Sequence, residues 1–558
     1  MSQPSVKAPD KPAARPSMAA SPWSALRSDV FRYLWIATVV SNIGSWMFNA
    51  AAGWLMTSLN SSPLIVSLVQ VANSLPLFLF ALPAGALADM LDKRRLILTL
   101  EILTTLFSAV FALLVSLHVA TPGLLLLFIL LVGTLGAIET PAWQAIVPML
   151  VTRQALPAAV ALNSVGINIS RVLGPALTGI VILSLGMAAP FWLDAFSNVG
   201  VIAVILGWRA PARTARTLPA EHLAQAIRSG LRYARYSPQL RATLTRAVGF
   251  FLFASAYWAL LPVLSRNQLH GGPTLYGVLL AAIGAGAVAG AFVLPQATRR
   301  VGAEGVVNCG GLGTAVALIL FGVAHQAWVA VVACLLAGVS WIAVLASLNV
   351  SAQVALPEWV RGRGLAVYVT VFFGTVTAGS ALWGWIAERS GLPAAHYAAG
   401  FGALLAMVLT RRWKLLTGPE ADLTPSMHWP EPVLAGGVDQ DVGPVLVTVE
   451  YQVPAQNRVE FFTGLARLAR ERRRDGAYDW KVFQDAAHPE RVLEIFLVDS
   501  WLEHLRQHRR VTNADRVFEE RLRHLLREAP RITHYIAATA DTGVAPVMRP
   551  APGVRNMS

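Results

Sequence analysis

Long apolar runs recur along the first three quarters of the chain, and they limit its fold more than any other feature. An α-helix needs about 20 mainly apolar residues to cross the hydrocarbon core of a bilayer. Charged residues make up only 14% of the 558 residues, whereas a soluble domain carries about 25%. The sequence therefore predicts an all-α polytopic membrane protein. Its twelve transmembrane helices are expected near residues 32–57, 63–87, 95–117, 122–147, 156–183, 187–208, 244–264, 274–296, 303–324, 327–352, 361–386 and 393–412.

The excess of basic residues lies wholly in this apolar part. Of the formal net charge of +14, residues 1–415 carry +16 and the remainder −2. The loops on one side of the membrane hold only Arg266 and Arg389. The positive-inside rule therefore places the loops of the other side, both termini and residues 209–243 in the cytoplasm. The expected location of the protein is the plasma (inner) membrane. A nucleic-acid partner is not needed to explain the charge. The cytoplasmic loops hold Lys93, Arg94, Arg95, Arg153, the basic residues from Arg209 to Arg246, Arg299, Arg300, Arg361, Arg363, Arg411 and Arg412.

The spans divide into two sets of six around a basic linker. The fragments "QAIVPMLV" and "QVALPEWV" share the pattern QxxxPxxV at the ends of the fourth and tenth spans. Parallel six-helix repeats around a central cavity are a transporter architecture. The predicted organisation is a disordered cytoplasmic tail at 1–24, a six-helix half at 25–208, a cytoplasmic linker at 209–243, a second half at 244–415, a linker at 416–443, a soluble domain at 444–540 and a disordered tail at 541–558.

The stretch "GALADMLDKRR" lies between the second and third spans. It resembles the signature of the major facilitator superfamily, G-x-L-x-D-x-x-G-[RK]-[RK]. Met90 and Asp92 depart from that pattern, so the ion pairs that would hold the gate cannot be assigned from the motif. The alternative is an ordinary cytoplasmic loop held by its positive charge. The resemblance implies a gating motif formed by Gly85, Asp89, Lys93 and Arg94.

Span five carries a second motif, "GPALTG", with Gly174, Pro175 and Gly179. It resembles the antiporter motif, in which small residues allow close helix packing and proline bends the helix. With fragments such as "SNIGSWMFNAAAGWLM" and "ETPAWQAIVPMLV", residues 25–415 resemble the exporter branch that includes the enterobactin exporter. That likeness implies export of siderophore-like or drug-like molecules by proton antiport. A passive or importing carrier, a fused oxygenase and a membrane sensor are the alternatives, and the absence of a Walker loop argues against ATP drive.

Polar side chains inside the spans are candidates for function, because their burial in hydrocarbon is costly. Arg171 lies deep in span five and shares a helix face with Asn168. We expect it to bind anionic substrate groups or to join a proton-coupled ion pair, with Glu139 or Asp194 as its acidic partner. The alternative is a permanent Arg171–acid pair that fixes helix packing.

Proton coupling requires a carboxyl group that can gain and lose a proton near neutral pH. Glu139 is the leading candidate, since Asp194 is expected near the outer surface and Glu101 near the inner interface. A small-molecule cavity between the halves could also be lined by Asn42, Asn49 and Gln70, together with Trp258 and Trp341. Each of these could instead serve helix packing.

The sequence after residue 420 has the pattern of alternating strands and amphipathic helices that is typical of a soluble domain. Strand and helix patterns follow the order βαββαβ, which predicts a ferredoxin-like α+β domain. It resembles the antibiotic-biosynthesis-monooxygenase-like domains, which implies a possible homodimer through this domain. His504 and His508 stand four residues apart on a predicted helix, with no third ligand evident nearby. The sequence therefore predicts no metal site, no cofactor and no enzymatic activity, since fold alone does not establish function.

Overall fold

The computed structural model describes residues 23–152, 154–208, 223–415, 422–429 and 442–537, without the side chains of residues 85, 86, 88–90 and 223–226. Most of the tail expected at 1–24, the whole tail expected at 541–558 and most of the linker at 416–443 lie outside these ranges. The described chain forms a large helical bundle and a small α+β domain.

The bundle contains helices from both predicted halves. In the first half they are α1 Asp29–Leu59, α2 Pro63–Met90, α3 Lys93–Ser116, α4 Pro122–Leu150, α5 Leu156–Leu185 and α6 Ala189–Gly207. The linker forms α7 Leu223–Tyr236. The second half contains α8 Pro238–Val263, α9 Pro273–Val323, α10 Ala327–Val354, α11 Arg361–Ser390 and α12 Leu392–Thr410.

Ten helices of the described chain are long and apolar enough to cross a membrane. The predicted eighth and ninth spans form one 51-residue element, α9, which leaves helical geometry at Gly302 (φ 71°). The 31-residue α1 is not among the ten, because polar residues such as Asn42 and Asn49 interrupt its apolar sequence. The polytopic helical fold is therefore confirmed, and the count of twelve spans stays a prediction.

The helix that contains the seventh predicted span begins within the range predicted for the linker. The linker was predicted to reach residue 243, but α8 begins at Pro238. Ser237 caps this helix, because its Oγ accepts a hydrogen bond from the backbone N–H of Leu240 at 3.3 Å.

Side chains of the two halves contact each other at one end of the bundle and near its middle. We call the end that carries Arg94, Arg361 and Arg411 the basic end, and the other the opposite end. Hydrogen bonds and ring contacts join the two halves at the opposite end and near mid-bundle. They join Trp54 to Tyr276 (ring centroids 5.9 Å apart), Arg266 to Ser58 (2.6 Å), Ser62 to Glu388 (2.7 Å) and Ser74 to Thr377 (2.8 Å).

The small domain follows the predicted order of strands and helices, with the second helical segment divided in two. Its elements are β1 Val445–Gln452, α13 Arg458–Asp475, β2 Tyr478–Gln484, β3 Arg491–Val498, α14 Trp501–Arg510, α15 Asn513–Arg523 and β4 Arg531–Ile536. The four strands form one antiparallel sheet in the order β2-β3-β1-β4. Alternate residues of β1 pack against Phe461 and Leu465 of α13 in a shared apolar core.

This domain contacts the basic end through α7 and α14. Arg232 of α7 pairs with Glu503 of α14 at 3.4 Å. The guanidinium of Arg510, also on α14, lies 4.5 Å from the ring centroid of Trp359, in the turn before α11. The hydroxyl of Tyr233 donates to the carbonyl that ends α10 at 2.9 Å. The small domain is thus positioned at the basic end of the bundle.

Candidate functional site

The loop between α2 and α3 is held by hydrogen bonds at the start of α3. Asp92 caps α3 by accepting a hydrogen bond from the backbone N–H of Arg95 at 2.9 Å. Arg94 donates to the carbonyls of Ile205 and Leu206, at 3.0 Å and 2.8 Å. A cation at these terminal carbonyls of α6 is favourable, because a helix C-terminus carries partial negative charge. Arg94 therefore ties α3 to α6 within the first half.

The structure gives fewer contacts for the other residues of the expected gating motif. Gly85 and Asp89 lie in the last turns of α2, and their surroundings are outside the described side chains. Lys93 is half-buried at the start of α3. The gating role of all four residues stays a prediction.

The motif of span five contacts both halves of the bundle. Gly174 packs against Trp46 of α1, so closely that a Cβ would collide with that side chain. A Cβ on Gly179 would lie 2.7 Å from a backbone atom at the start of α9. A Cβ on Gly277 of α9 would lie 2.8 Å from the carbonyl oxygen of Pro175. These small residues let α5 approach α1 on one side and α9 on the other.

Arg171 has no acidic partner in the described structure. Its guanidinium lies 5.5 Å from the ring centroid of Trp46, and its buried Nε has no hydrogen-bond partner. The expected pair with Glu139 or Asp194 does not form, because both carboxyl groups are engaged by other side chains. Arg171 is therefore a cation in the bundle held by an aromatic contact.

Asp194 lies at the junction of α1, α3 and α6 and is 1% exposed. Its Oδ1 accepts a hydrogen bond from Ser45 at 3.0 Å, and its Oδ2 accepts one from Ser108 at 2.7 Å. Asp194 is therefore buried among the helices, and its expected position near the outer surface stays a prediction. Its side chain points into the interior of the first half.

Glu139 forms a buried carboxyl pair with Glu101. The two carboxyl groups lie within interaction distance of each other, and Asp194 is also close to Glu101. Trp143 donates from Nε1 to Glu139 Oε1 at 2.6 Å. Glu101 is only 6% exposed and is buried among the helices, and its expected depth near the inner interface stays a prediction. Six residues of helix carry it about 9 Å from Arg95, deep enough to face α4.

The remaining polar candidates are partly accessible. Asn168 is exposed, and its amide donates to the carbonyl four residues earlier at 2.8 Å. Asn49 makes the same intrahelical bond at 2.8 Å. Asn42 and Gln70 are half-buried, and the described structure gives neither side chain a hydrogen bond. The structure thus leaves polar groups of α1, α2 and α5 available to a ligand, but it does not place these four residues in one cluster.

Sequence reasoning missed Glu101 and Ser108 as members of the polar site. Both lie on α3 and are seven residues apart, which places them on one helix face. Trp143 follows Glu139 by four residues, the spacing at which helical side chains meet. These spacings were readable, but which helices lie next to each other was not.

A second cluster of functional groups lies in the small domain. The ligand nitrogens of His504, His508 and His534 all lie within 4.8 Å of one another. The expectation that no third ligand lies near the first two is therefore wrong, because β4 brings His534 beside α14. Burial and the neighbouring histidines lower the pKa of His504 to about 3, and burial lowers that of His508 to about 4. The cluster lines a cavity of about 270 Å³ between the sheet and the helices.

Comparison with known proteins gives a match to one family over most of the chain. The model of the family described as "Transmembrane secretion effector" matches residues 20–542. The match runs from the residues before α1 to beyond β4, so it includes the small domain as well as the bundle.

Several curated transporters are similar in sequence. The staphyloferrin A transporter of Staphylococcus aureus is 24% identical over 49% of this chain and 68% of its own length. The multidrug efflux pump Tap of Mycolicibacterium fortuitum is 26% identical over 66% of this chain and 92% of its own. The enterobactin exporter EntS of Escherichia coli O1:K1 is 26% identical over 68% and 90%. The relatives are transporters, not enzymes.

A solved transporter structure has a similar fold. It is a bacterial homologue of the human lysosomal transporter Spinster in an inward-facing, occupied conformation, with a TM-score of 0.55 and 15% sequence identity. The match covers 70% of this chain and 97% of that chain. It therefore concerns the helical bundle.

Proposed function

This chain belongs to the transmembrane secretion effector family of major facilitator superfamily transporters, and from that premise we propose that it is a secondary active exporter. Its cargo is a small organic molecule, siderophore-like or drug-like, which it exchanges for protons by alternating access. The observation that carries the proton exchange is the buried contact between Glu101 and Glu139.

The proposed architecture has twelve spans in two six-helix halves. The 51-residue α9 would extend about 77 Å as one straight helix, more than twice the roughly 30 Å of a hydrocarbon core. A break at Gly302 divides it into two spans, and α1 supplies the remaining one. The positive-inside rule then places the basic end, the small domain and both termini in the cytoplasm, with the protein in the plasma (inner) membrane.

Contacts between the halves at the opposite end are consistent with a cavity that opens toward the cytoplasm. A substrate would bind in this cavity before the halves rock to expose it outside. The loop of Gly85, Asp89, Lys93 and Arg94 is proposed to gate the cytoplasmic side, and Gly174, Pro175 and Gly179 to seal the outer side.

Arg171 is the proposed recognition group for an anionic part of the substrate. A guanidinium in hydrocarbon is costly unless it is paired, and here it has an aromatic contact but no carboxylate. The neighbouring Asn168 offers a hydrogen-bonding amide on the same helix face. Asn42, Asn49 and Gln70 are proposed to complete the polar lining.

Glu101 and Glu139 form the proposed proton site. Two carboxylates in contact within a medium of low dielectric constant repel each other strongly, so the pair holds a shared proton in this state. When the cavity opens to the other side of the membrane, the carboxyl pair would be able to change the number of protons that it holds. The nearby Asp194, held by Ser45 and Ser108, adds negative charge and couples the site to α1 and α6.

The alternative is a passive or importing carrier of the same fold. The small domain is proposed to be ferredoxin-like, related to the monooxygenase-like domains, and able to pair with a second copy. A catalytic role for that domain is the further alternative.

Efflux from cells tests the proposal, with the proton gradient intact and then collapsed. Anionic siderophores and cationic dyes serve as the cargo panel, and membrane levels of each variant are checked. We expect Arg171→Gln to abolish efflux of anionic cargo, and Glu139→Gln and Glu101→Gln to remove its dependence on the gradient. The controls are Arg300→Gln and Glu358→Gln, which change exposed residues outside the polar site.

Efflux that survives collapse of the gradient in the parent protein would contradict proton antiport and favour a passive carrier. Normal efflux in all three site variants would assign those side chains to helix packing.

A further inference from the structure

We propose that the small domain binds one divalent transition metal ion of the Zn²⁺ class through His504, His508 and His534. This metal site is independent of the proposed transport function. It rests on the positions of three imidazoles and on the cavity that they face.

The two histidines of α14 have the separation of neighbouring ligands on one metal ion. They are four residues apart, so they project from the same helix face, and their Nε2 atoms lie 3.2 Å apart. Nitrogens bound to zinc at about 2.0–2.1 Å in tetrahedral geometry lie about 3.3–3.4 Å from each other. The ion therefore fits between them without a large movement of either ring.

The third histidine comes from the sheet through the register of β4. His534 pairs with Val447 of β1, and Val447 is buried in the core between the sheet and the helices. Cross-strand partners project to the same face of a sheet, so His534 points toward α14. Its ring centroid lies 4.7 Å from that of His504.

A neighbouring amide orients the most buried ligand. Gln507 Oε1 lies 3.3 Å from Nδ1 of His504, in position to accept its proton. A histidine that donates from Nδ1 presents an unprotonated Nε2 to a metal, and such supporting contacts are typical of metal-bound histidines. Gln507 is fully buried, as is His504.

The site leaves a coordination position on the cavity side. Three histidines and one open position are the arrangement of reactive zinc centres, in contrast to closed structural sites with four protein ligands. Glu519 lines the same cavity, but it already binds Arg472 at 3.1 Å and Trp429 at 2.9 Å. The fourth ligand is therefore water or a donor group of a molecule that enters the cavity.

Metal binding is tested on the full-length chain, purified in detergent with an affinity tag that contains no histidine. The chain is dialysed against Zn²⁺ at graded concentrations, and bound metal is counted per chain. Co²⁺ is then substituted, because a tetrahedral site gives it strong visible absorption. We expect one tightly bound ion per chain with tetrahedral Co²⁺ bands.

Single variants distinguish this cluster from adventitious sites. Removal of a supporting contact typically weakens metal affinity about 10–100-fold, so His534→Ala and His508→Ala are expected to lose at least that much, and Gln507→Leu about tenfold. His524→Ala is the matched control, because His524 is exposed and belongs to the same domain. Circular dichroism checks that each variant is folded.

Less than one ion per chain at saturation, or equal loss in His524→Ala, would overturn the assignment. Binding that persists in a folded His508→Ala/His534→Ala double variant would also overturn it.

Discussion

Glu471 of α13 is a buried carboxyl group with incomplete hydrogen bonding. Its Oε1 contacts Arg467 at 3.4 Å, whereas its buried Oε2 has no partner. Burial first, and then the nearby Asp515, raise the pKa of Glu471 to about 7. The side chain is therefore protonated in the folded domain at a pH where it ionises in the unfolded chain.

This difference makes the domain less stable as pH rises. Between about pH 4.5 and 7 the folded state binds more protons than the unfolded state, so the free energy of unfolding falls through that range. We expect Glu471→Gln to remove the loss and to stabilise the domain by roughly 2–3 kcal/mol at pH 8, with little effect at pH 4.5. Amide hydrogen exchange of α13 in the full-length protein measures this, after correction for intrinsic exchange rates.

The matched control is Glu520→Gln, which changes a carboxyl group whose side chain is 52% exposed. Equal protection of the α13 amides from exchange at pH 8 in Glu471→Gln and in the parent would show that ionisation of Glu471 does not destabilise the folded domain.

At the scale of the elements, α5 packs closely on α9 at the opposite end, and we expect this contact to close that end. Gly277 lies against the backbone carbonyl of Pro175. A larger side chain at position 277 would collide with this backbone atom, which cannot move away by a change of rotamer. Overpacking of this kind costs about 1–3 kcal/mol, and that cost falls only on the state in which the two helices touch. Gly277→Val should therefore reduce the population of this state roughly fivefold to hundredfold.

Two measurements test this expectation. Efflux should fall in Gly277→Val at normal membrane levels, and the distance between spin labels at Leu117 and Val323, both exposed at the opposite end, should increase. The background carries Cys309→Ser, because that native cysteine is exposed. Gly136→Val is the control, since a Cβ there meets no atom within 4 Å. An unchanged label distance in Gly277→Val would contradict a role for this contact in closure.

Helices were easier to predict from the sequence than the contacts between them. Apolar length and charge predicted the helices of the bundle, and the non-helical Gly302 interrupts α9 between the two spans expected there. Arg171 was recognised as a polar group inside a span, but its assignment to an acidic partner failed. Partner choice depends on how α1, α3, α4 and α6 are arranged, and helical periodicity does not contain that information.

The His504 cluster shows the same limit in the small domain. The i,i+4 pair on α14 is visible in the sequence, whereas His534 is 26 residues from His508. Their contact follows from the pairing of β4 with β1, which is set by the sheet order β2-β3-β1-β4. Strand pairing of that kind is long-range, so no local spacing rule identifies the third histidine.

At the scale of the whole molecule, the bundle should admit water from the end that carries the small domain. Asn168 is exposed and shares a helix face with Arg171, whereas the adjacent Ile169 is also exposed but apolar. Neighbouring residues on a helix differ by about 100° in direction. We therefore expect Asn168 to face the cavity and Ile169 to face lipid.

Cysteine labelling distinguishes these two environments in a Cys309→Ser background. A membrane-impermeant maleimide should label Asn168→Cys in inverted vesicles, which expose the cytoplasmic side, and should label it far less in right-side-out vesicles. Ile169→Cys should remain unlabelled in both, because a maleimide needs water to reach the thiol. Labelling of Asn168→Cys from the outside alone would reverse the proposed orientation of the cavity. Equal labelling of both cysteines would show that exposure on α5 does not separate cavity from lipid, and the proposed position of Arg171 in the transport pathway would fall with it.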